Sequence, residues 1–85
     1  MEITQRELDQ TLQQFNHLIG LLGVSATAKP RIINSRIHLD VEASEPGRLI
    51  GRRGRIRSAL ELVLNGILRK QSDEFPRVSM EIAGI

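Results

Sequence analysis

The chain has 85 residues, enough for one domain with one hydrophobic core and too few for two independently stable ones. It contains no cysteine, which excludes disulfides, thiolate nucleophiles and cysteine-bound zinc, and its apolar residues are mostly Leu, Ile and Val rather than aromatics. The net charge of +2 is modest but lopsided: Arg48, Arg52, Arg53, Arg55 and Arg57 crowd one segment, with no acidic residue between Glu45 and Glu61.

At the N-terminus, Thr4-Gln5-Arg6-Glu7 has the form of a capping box and predicts a helix start. Leu8, Leu12, Phe15, Ile19 and Leu22 follow at three- and four-residue spacing, so they share one face of a helix over residues 5–22 that Gly23 can end. Residues 25–32 read as a weak strand, and Asn34-Ser35 supplies turn chemistry for a hairpin. Ile37, Leu39 and Val41 then alternate with Arg36, His38, Asp40 and Glu42, the period of a strand with one buried and one wet face.

Ser44-Glu45-Pro46 predicts a short helix to about Ile50, since proline is tolerated in a first turn. Beyond the glycines, Ile56, Ala59, Leu60, Val63, Leu64 and Ile67 mark a second amphipathic helix to about Lys70. On this reading Leu62 and Leu68 lie off or at the margin of its buried stripe. With Leu18 and Leu21 of the first helix they suggest a self-association surface. Asp73 and Pro76 break the pattern before Val78, Met80 and Ile82 alternate as a last strand. The expected fold is α+β in the order α-β-β-α-α-β, with helices on one face of a three-stranded sheet.

The segment Ile50-Gly51-Arg52-Arg53-Gly54 joins two helices. Paired glycines allow a tight turn and close approach of the backbone to a ligand. Two arginines between them, ahead of the N-H groups and positive dipole of a helix start, suit a phosphate. The run resembles the GxxG loop of KH domains, and the element order resembles the type II KH arrangement. Within that fold, residues 45–65 and the strand around Val78-Ser79-Met80-Glu81-Ile82 resemble the bacterial Jag and KhpA/KhpB group.

The resemblance covers nearly the whole chain, read as one KH domain over residues 1–85 with its core and loop at about 36–83. It implies a clamp on the backbone of single-stranded RNA, with bases in an aliphatic groove beside the loop. Arg52 and Arg53 match the phosphate-facing positions, and Ile50 and Ile56 match apolar flanks. The groove wall would come from the adjacent helix and strand, Ile37 and Leu39 being candidates. Arg55 and Arg48 rank as secondary contacts and Arg57 joins the RNA-binding set, although all three can instead be solvated or pair with Glu45 and Glu61 at helical spacing. Arg57 departs from the family pattern, which has an apolar or small residue three positions after the second glycine. Jag proteins carry a further RNA-binding domain after the KH domain, whereas this sequence ends at Ile85, so binding is expected to draw on a homodimer or a KH-protein heterodimer.

Other chemistry finds little footing. Gly47, Gly51 and Gly54 fit neither GxGxxG nor a P-loop. His17 and His38 lack metal-ligand spacing, and Asp40 and Glu42 have no accompanying nucleophile. Phe15 and Phe75 are too few for the stacking platforms of RRM or OB modules. No helix presents an isolated basic face for the major groove of duplex DNA. The expectation is a non-enzymatic, cytoplasmic RNA-binding regulator without cofactor, metal, small-molecule substrate or membrane partner. The alternative is a protein-protein or ribosome-assembly adaptor on the same fold.

Overall fold

The structure, a computed structural model, describes residues 2–82. Its elements are α1 (Gln5–Leu22), β1 (Ala26–Ile33), β2 (Arg36–Ala43), α2 (Pro46–Ile50), a single 3-10 turn (Arg52–Gly54), α3 (Arg55–Gln71) and β3 (Val78–Ile82). This is the α-β-β-α-α-β order expected from the sequence, on a three-stranded mixed sheet, and it is the type II KH arrangement.

The start of α1 is fixed reciprocally. The Glu7 N-H donates to Thr4 Oγ1 at 3.2 Å, and the Thr4 N-H donates to Glu7 Oε1 at 2.9 Å. Such a cap stabilises a helix by about 1 kcal/mol. At the other end Gly23 adopts φ 70°, and the Val24 N-H reaches back to the Ile19 carbonyl. That left-handed residue lets the chain reverse into β1.

Asn34 and Ser35, both at positive φ, turn β1 into β2. The two strands pair antiparallel from Ala26↔Ala43 to Ile33↔Arg36. Strand β3 then joins the other side of β2 in parallel, from Ile37↔Val78 to Val41↔Ile82. A parallel pair needs a long crossover, and α2, the loop and α3 supply it. The crossover therefore suspends the arginine-rich loop beside the β3 edge.

Every second residue of β2 and β3 is buried: Ile37, Leu39, Val41, Val78, Met80 and Ile82 meet Phe15, Ile19, Leu49, Leu60, Leu64, Leu68 and Phe75 beneath the helices. His38, Asp40, Ser79 and Glu81 occupy the opposite, open face. Thr11 is also fully buried, its hydroxyl donating to the Glu7 carbonyl at 2.8 Å. Phe75, in the segment read as a break, adds an aromatic ring to the core.

The phase of α3 differs from the sequence expectation. Its buried stripe runs through Leu60, Leu64 and Leu68, while Ile56, Ala59 and Val63 are exposed. Leu68 is thus a core residue and not part of a self-association surface. Leu18 likewise packs against the core, and Leu22, assigned to the core face of α1, is exposed instead. The physical reason lies in two polar residues beside the stripe. Asn65 donates to the Val78 carbonyl at 2.8 Å and accepts from the Val78 N-H at 2.8 Å, and Glu61 Oε2 accepts from the Met80 N-H at 2.7 Å. The helix turns these side chains toward β3 because an uncovered strand edge leaves backbone groups unpaired. A pattern of apolar spacing discards such residues and so misplaces the face.

Candidate nucleic-acid interface

The loop is built outward from α2. Leu49 is fully buried and anchors that helix, Pro46 opens it, and Ile50 is half-buried against the core. Gly51 follows with φ 69° and ψ −178°, a conformation essentially restricted to glycine. A Cβ there would lie 2.6 Å from Ile56 Cγ1, so the glycine is required twice over. Ile56 covers the loop from the α3 side.

Arg53 sits in the left-handed region at φ 57°, ψ 28°, and Gly54 follows at φ 72°, ψ 18°. The left-handed region costs a non-glycine residue roughly 1 kcal/mol. The two arginines are exposed at the tip. The Gly54 N-H closes the turn on the Gly51 carbonyl, and α3 starts at Arg55 with neither a side-chain cap nor an acidic residue in its first turn. The Arg55 N-H is taken by the Arg52 carbonyl, so what the start of α3 offers an approaching anion is the positive end of its dipole.

The remaining arginines differ in what holds them. Arg48 lies 3.6 Å from Glu45 and Arg57 lies 3.5 Å from Glu61, the pairings that helical spacing allows. Arg52, Arg53 and Arg55 have no ion-pair partner among the described residues. The electropositive patch is therefore centred on 52, 53 and 55, with 48 partly neutralised at its rim.

A groove runs beside the loop, lined by Ile50, Arg53, Gly54, Arg57, Met80 and Ile82. It continues past Glu81 to Arg31, Ile33 and His38 on the open sheet face. Ile37 and Leu39, named as candidate wall residues, are fully buried and do not reach it. Their place is taken by Met80 and Ile82 of β3, because β3 and not β2 is the strand at that edge. Ile56 packs over Gly51 and does not line this groove.

Sequence reasoning names Glu61 only as an ion-pair partner and Met80 and Ile82 only as strand residues; it misses that Met80 and Ile82 line the groove and that Glu61 holds the Met80 N-H. The one local signal is the polar pair Glu61 and Asn65, four residues apart in the otherwise apolar stretch 59–68 of α3.

A second cluster forms on the open face. His38 Nδ1 lies 3.0 Å from Ser79 Oγ, and His38 Nε2 lies 3.6 Å from Asp40 and 3.7 Å from Glu81. The parallel register brings Glu81 opposite Asp40 and beside His38, a meeting that residue spacing cannot reveal. These three side chains are the group of metal-ligand type among the described residues. Asp40 is already engaged by the Arg31 guanidinium, with Nη2 at 3.0 Å, so the cluster reads as a charge network across three strands. No helix among the described residues is long and apolar enough to cross a membrane.

Comparison with known proteins agrees with this architecture. No curated protein matches the chain. A family model described as KhpA/KhpB, KH domain, matches residues 18–82, from the last turns of α1 to the end of β3 and with the whole loop inside it. KH domains are RNA-binding modules, which gives the coarse function. With most of its length matched and the expected fold in place, the chain belongs to the KhpA/KhpB family of KH domains.

Proposed function

We propose that this protein binds single-stranded RNA by clamping its backbone on Gly51-Arg52-Arg53-Gly54, and that it acts as a bacterial, cytoplasmic RNA-binding regulator. The observation that carries the reading is the loop itself. Its backbone is held open by a glycine-only conformation, its two central arginines have no protein partner among the described residues, and an uncapped helix start lies directly behind it. Phosphates sit along the loop, where Arg52, Arg53 and the positive end of the α3 dipole neutralise them, with Arg55 and Arg48 as flanking contacts. Bases lie across the groove, chiefly against Ile50, since Met80 and Ile82 in its lining are only 4% and 3% exposed. A duplex keeps its bases paired and stacked, whereas an unpaired strand can turn them into a groove. The role is one of binding, with no catalytic step.

Fluorescence anisotropy with short single-stranded RNA tests this directly. If three or four phosphates are neutralised, binding weakens roughly 20- to 50-fold between 50 and 200 mM salt. Arg52→Asp/Arg53→Asp is expected to abolish that binding while circular dichroism shows an unchanged fold. Equal binding by the folded double variant contradicts the clamp.

An adaptor role is the second reading, and one observation favours it. Leu21 and Leu62 are 73% and 75% exposed on α1 and α3, helices that pack against each other, with Leu22 and Val63 exposed beside them. A homodimer or a heterodimer with another KH protein through these helix surfaces is compatible with the clamp, since none of the four residues lines the groove.

A further inference from the structure

Arg57 lines the groove beside the loop. Its guanidinium lies against the second glycine of the loop, with Nη2 and Nε 3.7 and 3.9 Å from the position a Cβ on Gly54 would take. From the other side Glu61 holds Nη1 at 3.5 Å, and Glu61 is itself fixed to the β3 backbone through the Met80 N-H at 2.7 Å. Thus a planar, permanently charged group is tethered across the cleft between loop and strand edge. Only Nη1 of its donors has a protein partner among the described residues, and its side chain keeps 38% of its surface exposed.

We infer that Arg57 reads the base in the groove and gives the site a preference for guanine or cytosine over adenine and uracil. This rests on the RNA-clamp reading above. A strand whose phosphates follow the loop must turn its base away from the loop, toward β3, and Arg57 lies on that path. A guanidinium offers parallel donors and no acceptor, so it satisfies a base that presents two adjacent acceptors. Guanine does so at O6 and N7, and unpaired cytosine at O2 and N3. Adenine sets its N6 donor beside N1 and N7, and uracil sets its N3-H between O4 and O2, so neither presents two adjacent acceptors to the fork. Glu61 is a positioning residue, which holds the fork in place without touching RNA.

The experiment uses four eight-nucleotide RNAs, all uridine except for A, G, C or U at the centre, titrated by anisotropy into the wild-type chain and Arg57→Lys. Wild type is expected to bind the G and C oligomers about fivefold or more tightly than the A and U oligomers, the scale of one bidentate base contact. Lysine keeps the charge but loses the fork, so the four affinities of Arg57→Lys should fall within about twofold of one another. Wild-type binding equal for all four, or discrimination that survives in Arg57→Lys, overturns the inference and leaves the clamp intact. Absence of binding to every oligomer overturns the clamp, and this inference with it.

Discussion

The β1–β2 hairpin and the loop between α2 and α3 both reverse the chain with residues at positive φ, yet they are furnished differently. The hairpin uses Asn34 at φ 50° and Ser35 at φ 61°, small polar residues, of which asparagine tolerates that region well. The other loop places Arg53 at φ 57° between two glycines that have no such penalty. An arginine gains nothing locally from a left-handed backbone, and here it has no ion-pair partner among the described residues. The hairpin is thus explained by chain geometry alone. The arginine loop carries a conformational cost that the packing around it must sustain and that nothing local to the arginine explains, and strained backbone of this kind gathers at ligand-binding sites.

Three substitutions sharpen this contrast or break it. Gly51→Ala should have the largest effect, because a Cβ meets Ile56 in a conformation that alanine does not share. A loss of about 2 kcal/mol in urea unfolding is expected, together with loss of RNA binding from a reshaped loop. An alanine variant as stable as wild type contradicts the described loop geometry. Arg53→Asn comes next and separates the two costs. Asparagine suits the left-handed region, so stability should hold or rise by a few tenths of a kcal/mol. RNA affinity should drop about fivefold, the worth of one exposed charged contact. The smallest effect belongs to Ser35→Gly. Relief of the hairpin strain should stabilise the fold by about 0.5 kcal/mol, while RNA titrations overlay those of wild type. If this hairpin variant alters RNA binding, the division between a structural turn and a functional one fails.

Much of the fold was legible in the sequence where local chemistry decides the outcome. The capping box at Thr4 and Glu7, the alternation through Ile37, Leu39 and Val41, and the proline at the head of α2 each act within a few residues, and the structure has those elements. The phase of α3 was not legible, because Glu61 and Asn65 belong beside the buried stripe only once β3 lies against them. For the same reason the groove wall was assigned to Ile37 and Leu39, since nothing local reveals that β3 takes the sheet edge. The loop residues could be named from their glycines and arginines. What those residues face, namely Met80, Ile82 and the tethered Arg57, depends on a parallel pairing across some forty residues of chain.

The central claim is that RNA meets this protein at the α2–α3 loop, and amide chemical-shift mapping tests it most directly. Single-stranded RNA is titrated into isotopically labelled protein, and each backbone amide reports contact at its own position. The clamp predicts shifts concentrated at residues 50–57 and 80–82, with the exposed helix face around Leu21 and Leu62 unmoved. Shifts centred on that helix face, or none at saturating RNA, would contradict it and leave the adaptor reading as the account of this fold.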